Sequence, residues 1–238
     1  MRQYSAKDGV PNDWHRVHLG ALALGGAGLV VAEAIAVAHE GRITPSCTGL
    51  WNDSQVEAFR TITRFIESHG AVPGIQIAYA GRKASANRAR FILETLGAVR
   101  EVWPERLALT ARLGVIDYVE REQLLDESIE LVRRMKAGGL DLIDVSMGFN
   151  TPDISQVPWR EHGFLVPIAH RIRREAGIPV ATSWNTSDPR KADGFIRDEQ
   201  VDVVMLAKAM LDDPHWPYHA ARALGRATPE TLLPKQYG

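Results

Sequence analysis

The chain has 238 residues, 28 basic and 29 acidic side chains for a formal net charge of -1, 45% hydrophobic and 24% charged residues. This is enough apolar material for one large core, and the balanced charge gives no basis for nucleic acid or an anionic membrane as partner. A single cysteine, Cys47, excludes an internal disulfide and a thiolate metal cluster; the longest apolar segment, Leu29 to Ala38, is broken by Glu33 and too short to span a bilayer, so a cytoplasmic setting is expected.

In chain order, Asp13 is expected to cap a helix over Trp14 to Leu24, with His15 and His18 on one face. Gly25-Gly26-Ala27-Gly28 ends it, and Leu29-Val30-Val31-Ala32 reads as a strand covered on both faces, with Glu33 and Ala34 at or near its end. Beyond the loop Glu40 to Pro45, Ser54 and Glu57 match a capping box for a helix carrying Val56, Phe59, Ile62 and Ile66. Gly70 terminates that helix. Gly74-Ile75-Gln76-Ile77-Ala78-Tyr79 then reads as a buried strand running into Ala80-Gly81-Arg82-Lys83. A buried Gln76 amide requires partners, supplied by neighbouring backbone or by a ligand.

A helix over Arg88 to Val102 follows, then a strand from Leu107 to Leu113 and a helix through Leu125, Ile129 and Val132 that Gly138-Gly139 closes. Leu140 to Met147 is a strand with Asp141 and Asp144; Leu165, Ile168, Ala169 and Ile172 mark the next helix; Ile178 to Ser183 and Val201 to Leu206 are strands. Alternating helices and strands indicate repeated strand-crossover-helix units with parallel pairing. Six strands are expected, near 29–34, 74–79, 107–113, 140–147, 178–183 and 201–207, where a closed barrel of this class has eight. The glycines at 25, 26 and 28 precede their strand, so they are a helix terminator and not a dinucleotide loop.

Polar residues gather at the expected C-terminal strand ends: Glu33, Gln76 and Arg82, Arg112, Ser146, Ser183 with Trp184, and Lys208. In parallel α/β sheets those ends carry the chemistry. An arginine within Leu109-Thr110-Ala111-Arg112-Leu113 needs a counterpart: a carboxylate such as Glu33, a phosphate, or an electron-rich ring. Trp184 follows a strand end and suits a flat pocket wall. No metal-ligand spacing, GxSxG elbow or Walker loop is present. Lys208 lacks an evident acid–base partner for Schiff-base chemistry.

Several segments together resemble the Old Yellow Enzyme family of FMN-dependent ene-reductases, in its bacterial xenobiotic-reductase-like class. They are Tyr4 to Gly9, Asn12-Asp13-Trp14-His15, Glu33-Ala34, Glu40-Gly41-Arg42-Ile43, Gly74 to Lys83, Arg90-Phe91 with Glu94-Thr95-Leu96, Leu109 to Leu113, Gly138 to Ser146 and Asp213-Pro214-His215-Trp216. The resemblance implies a barrel with FMN over its C-terminal face. It implies that Gln76 bonds the flavin pyrimidine edge and that Arg112 contacts the N1/O2 edge. Ala34 matches the small residue beside the ring, and Ser183, Ala207 and Lys208 fall at cofactor-binding strand ends. Tyr4 resembles the active-site tyrosine and Trp184 the pocket tryptophan. The implied reaction takes a hydride from NAD(P)H through FMN to an activated alkene. Family habit adds homo-oligomerisation.

The chain also departs from that pattern. Arg88 passes almost directly into the next helix, where the family inserts a loop, a helix and the fourth barrel strand with its paired substrate-binding histidines. The first barrel strand is missing as well. Arg2 replaces a flavin-tuning cysteine, Tyr79 replaces a histidine, and Ala207-Lys208 stands where Gly-Arg is usual. The expected fold is therefore α/β, a TIM-barrel-derived (β/α) arrangement with about six strands, incomplete or rearranged, forming one truncated domain over residues 1–238. The alternative to an active ene-reductase is a catalytically impaired relic of that barrel serving as a structural or interaction subunit.

Overall fold

The structure is a computed structural model, and it describes residues 2–78, 88–116, 121–148, 155 and 157–234. The chain divides into two compact units, residues 1–83 with 207–238, and residues 84–206.

The first unit begins with α1 (Asp13–Leu24), whose N-cap is Asn12 and not Asp13. The Asn12 side chain accepts the Trp14 N–H, and the third helical residue, His15, accepts the Asn12 N–H in return. Asp13, one residue later, loses to this reciprocal arrangement because two orphan donors are satisfied at once. Gly26 then takes φ +91, the left-handed turn that leads into β1 (Leu29–Ala36). The same substitution of cap occurs at α2 (Asp53–Ser68): Asn52, with Gln55 reaching back, forms the box expected of Ser54 and Glu57. Phe59, Ile62 and Ile66 of α2 are buried with Leu19 and Ala23 of α1 and Val30 and Ile35 of β1. β2 (Val72–Ala78) pairs with β1 in parallel, and β1 gains one residue between Val31 and Ala34. The remainder of this unit holds the short helices α7 (Lys208–Asp212) and α8 (Trp216–Ala223).

The second unit carries α3 (Arg88–Val102), β3 (Thr110–Ile116), α4 (Arg121–Ala137), β4 (Leu142–Met147), α5 (Val166–Ala176), β5 (Val180–Thr182), α6 (Pro189–Arg197) and β6 (Val203–Val204). Its four strands pair in sequence order, all in parallel. β4 is buried at nearly every position, as a central parallel strand covered on both faces must be. Ile129, Val132 and Met135 of α4 and Ile168, Ala169 and Ile172 of α5 cluster with Ile143, Val145 and Val180 of the sheet. Their i, i+3 and i+4 spacings make one apolar stripe per helix.

Six strands are present among the described residues, but three boundaries differ from expectation. β1 extends to Ala36, so Glu33 is interior. β3 starts at Thr110, so Arg112 is its third residue and not its last. β6 stops at Val204, so Lys208 opens α7. Tyr79, Gly81, Arg82 and Lys83 lie outside the described residues.

The fully buried Ile143 provides a test of the sheet–helix core. Ile143→Ala is expected to cost about 2–5 kcal/mol, read as a lower urea midpoint with an unchanged m-value.

Candidate functional site

In the second unit the strand register places Arg112 of β3 opposite Asp144 of β4. The Arg112 Nη1–H donates to Asp144 Oδ2 at 2.5 Å; Nη2–H donates to the Ser146 hydroxyl at 3.0 Å and the Ser183 hydroxyl at 3.3 Å. The counterpart that the strand arginine requires is therefore Asp144, and not Glu33. The Arg112 side chain remains 34% exposed, against 13% for Asp144. Asp144 Oδ1 is buried with no hydrogen-bond partner among the described residues. Burial pushes the Asp144 carboxyl above its ordinary pKa, and the Arg112 charge and hydrogen bond pull it back only in part.

Beyond β5, Ser183 is half-buried, and Trp184 and Asn185 take φ of +74 and +53. Left-handed backbone at two successive non-glycine residues costs roughly 1–3 kcal/mol each and persists only where the surroundings enforce it. Packing supplies that enforcement. The Trp184 ring lies 5.3 Å from Trp159 and 6.3 Å from Phe164, centroid to centroid. Trp184, the residue suited to a flat pocket wall, is thus one member of an aromatic cluster.

The first unit places the other candidates. Ala34 lines a cavity of ≈ 60 Å³ with Arg2, Arg42, Cys47 and Ala78. That volume is far below the roughly 300–1,000 Å³ of small-molecule sites, so it admits only a few atoms. Arg2 Nη1 sits 3.9 Å from Cys47 Sγ, and the Thr44 N–H donates to the sulfur at 3.4 Å. Burial pushes the Cys47 thiol up, but the Thr44 and Ile43 hydrogen bonds and the Arg2 charge outweigh it and leave the pKa lowered.

Gln76 is exposed, contrary to the buried amide expected from its apolar neighbours. The reason lies in the sheet. β2 pairs only with β1 among the described residues, so one edge of the strand is uncovered and Val72 and Ile77 are exposed with it. No hydrogen bond engages the Gln76 side chain among the described residues. Tyr4, 46% exposed, takes φ +49. Ala207 and Lys208 are exposed at the start of α7, where Ala207 offers no side-chain cap because alanine has no acceptor. Tyr4, Ala34, Gln76, Ala207 and Lys208 belong to the first unit, and Arg112, Ser183 and Trp184 to the second.

Two groups escaped the sequence reading. Asp144 was noted only as a strand residue; its spacing from Ser146, which puts both on one face of β4, was the available signal. His15 and Glu33 are both buried and face one another. The Asn12-to-His15 spacing of N-cap and third helical residue was the signal there.

A family model described as NADH:flavin oxidoreductase / NADH oxidase matches residues 1–86 and 84–226. The chain belongs to this family. Its cofactors are FMN and a nicotinamide dinucleotide, and its Old Yellow Enzyme character is borne out by the relatives of this chain. An NADPH dehydrogenase of Geobacillus sp. (strain WCH70) is 29% identical, over 94% of this chain and 88% of its own length. One from Listeria monocytogenes serovar 1/2a is 28% identical over 100% of this chain and 92% of its own. Among solved structures, a 2-naphthoyl-CoA reductase matches with TM-score 0.82 and 16% identity, covering 98% of this chain; the chain spans only 50% of that enzyme. An Old Yellow Enzyme homologue from Zymomonas mobilis gives TM-score 0.62 and 15% identity over 100% of this chain and 92% of its own. These likenesses fix the α/β fold as an incomplete TIM-barrel type. The alignment to the Geobacillus NADPH dehydrogenase runs over 304 residues, more than the 238 present, and the family match breaks at 84–86. The internal shortening expected at Arg88 thus falls beside the point where the flavin oxidoreductase pattern is interrupted.

Taken unit by unit, the donor chemistry suits the family's FMN: in the first unit the Gln76 amide both donates and accepts, and in the second Arg112 offers a partly exposed cation set among two hydroxyls.

Asp144 supplies a pH test. Because its folded pKa is raised, the neutral carboxyl suits the fold better than the anion. Its contribution is greatest below the unfolded value of about 4 and declines as pH rises through the folded pKa. Measured by urea unfolding, the stability of the natural chain relative to Asp144→Asn should fall with rising pH across that window. A rise would mean that attraction to Arg112 outweighs burial.

Proposed function

We propose that the chain is an FMN-dependent oxidoreductase that reduces the activated C=C bond of enone-like substrates at the expense of NAD(P)H. The observation that carries the reading is Arg112: a strand arginine held by Asp144, Ser146 and Ser183, with a third of its side chain still open. Bound FMN would supply hydride transfer between the nicotinamide and the substrate carbon. Arg112 would hold negative charge at the flavin N1/O2 edge, and preorganised cations of this kind act where charge develops. Gln76 would bond the pyrimidine edge, and Ala34 would leave space beside the ring. Ser183, Ala207 and Lys208 would meet the phosphate end. Tyr4 and Trp184 would contact the substrate, and Tyr4 carries a phenol able to hold a proton.

A second reading has its own support. The exposed Gln76 and the small cavity beside Ala34 suit a catalytically impaired descendant that acts as a structural or interaction subunit.

The two separate in one experiment. The purified chain is loaded with excess FMN, desalted, and its visible spectrum recorded before and after NADPH and then an enone. A retained, shifted flavin band that NADPH bleaches and the enone restores supports the oxidoreductase. Arg112→Ala should then weaken FMN retention by about tenfold to a hundredfold, the loss of one to two charge-assisted hydrogen bonds. A folded, colourless protein supports the impaired descendant.

A further inference from the structure

Glu33 occupies an unusual place. It lies inside β1, among Leu, Val, Ala and Ile, and its side chain is 5% exposed. The parallel register explains how it is accommodated. Val31 is opposite Gly74 and Ala34 is opposite Gln76, so β1 uses one residue more than β2 between those two pairs. An inserted residue of this kind bends the strand and re-aims a side chain.

Two donors and an imidazole meet the carboxylate. The Gln3 backbone N–H donates to Oε2 at 2.5 Å and the Thr48 hydroxyl to Oε1 at 3.3 Å; His15 Nε2 lies 3.4 Å from Oε1. His15 Nδ1 accepts the Asn12 N–H at 3.1 Å and lies 3.0 Å from Asn12 Oδ1, so the cap holds the ring with its Nε2 side toward Glu33. Burial acts to raise the Glu33 pKa, but His15, the Gln3 amide and Thr48 outweigh it and hold the carboxyl below its ordinary value. Glu33 in turn acts on His18, also on α1, where burial is the larger influence and lowers the His18 pKa.

The Gln3 amide begins a short segment tied at several points. The Ser5 hydroxyl donates to the Gln3 carbonyl, the Asn12 amide donates to the Ser5 carbonyl at 2.7 Å, and the Ala6 N–H donates to the Ser46 carbonyl at 3.1 Å. Trp14 Nε1–H donates to the Gln3 side chain at 3.0 Å. Tyr4 sits between these anchors with φ +49 and an exposed ring. A tyrosine does not hold that backbone unaided.

We propose that Glu33 is a positioning residue for Tyr4: through the Gln3 amide it fixes the left-handed backbone that presents the phenol. The consequence for catalysis rests on the role proposed for Tyr4 above, whereas the conformational claim does not.

Amide hydrogen exchange on the full chain tests it without flavin. In Glu33→Gln, exchange over residues 3–6 should rise about tenfold, the loss of one charge-assisted hydrogen bond, while the α2 core segment 59–66 is unchanged. In the natural chain, protection of residues 3–6, corrected for intrinsic rate, should be full above the ordinary carboxylate range. It should be lost as pH falls through the lowered Glu33 value, and that acid step should vanish in Glu33→Gln. Natural exchange rates at residues 3–6 in the variant, or no acid step in the natural chain while the core stays protected, overturn the proposal. Should Glu33→Gln fail to fold, the acid titration of the natural chain decides. Where enone turnover is measurable, Glu33→Gln should lower kcat, and should lower it no further in a Tyr4→Phe background. Additive losses would show that Glu33 does not act through Tyr4. A chain that retains no FMN refutes the proposed reaction and leaves the exchange result standing.

Discussion

A parallel strand has two hydrogen-bonding edges and two faces, and whatever leaves an edge unpaired changes what the side chains nearby can do. That constraint governs β2. Its partner β1 covers one edge, and α1 and α2 contribute the core beneath, yet the other edge is uncovered among the described residues. Gln76, set in an apolar run, consequently faces solvent. In the second unit the opposite holds. β4 is flanked by β3 and β5, its residues are buried, and it can hold a carboxylate such as Asp144 only because an arginine stands across from it.

Each unit therefore manages one buried acid in a different way. Asp144 has a cation on one oxygen and no partner on the other, and burial prevails in its pKa. Glu33 is met by an amide, a hydroxyl and an imidazole, and these prevail over burial. Burial acts upward on both acids; what also differs is that donors reach both oxygens of Glu33 and only one oxygen of Asp144. A carboxylate with donors on both oxygens stays charged at little cost, and one with a bare oxygen does not. Both acids also organise something beyond themselves: Asp144 holds the guanidinium of Arg112, and Glu33 holds the backbone beside Tyr4.

Among the described residues no helix is long and apolar enough to cross a membrane, and no group of three or more metal-ligating side chains occurs. The polar groups expected at strand ends instead lie within the strands, as Glu33, Gln76 and Arg112 do, or beyond them, as Ser183 and Lys208 do. The family assignment gives FMN and a nicotinamide dinucleotide as cofactors, and the polar residues belong to two compact units.

The sequence by itself determined the element types, the strand count and the family. Helical apolar stripes such as Phe59, Ile62 and Ile66 and glycine stops such as Gly26 and Gly70 are local signals, legible because they depend on residues a few positions apart. The family resemblance was legible for the same reason, as runs of adjacent residues. Cap identity was nearly legible: an asparagine with a returning side chain three residues on displaced the expected Asp13 and Ser54. Only the tertiary structure decided the partners. Arg112 had three kinds of counterpart open to it, and the register of β3 against β4 chose Asp144. Gln76 looked buried because burial was inferred from its neighbours in the chain, whereas exposure depends on which strand lies alongside. Glu33 looked like a strand end because nothing in a single strand announces an extra residue relative to its partner. These are long-range quantities, set by pairing between segments far apart in sequence, and no local pattern encodes them.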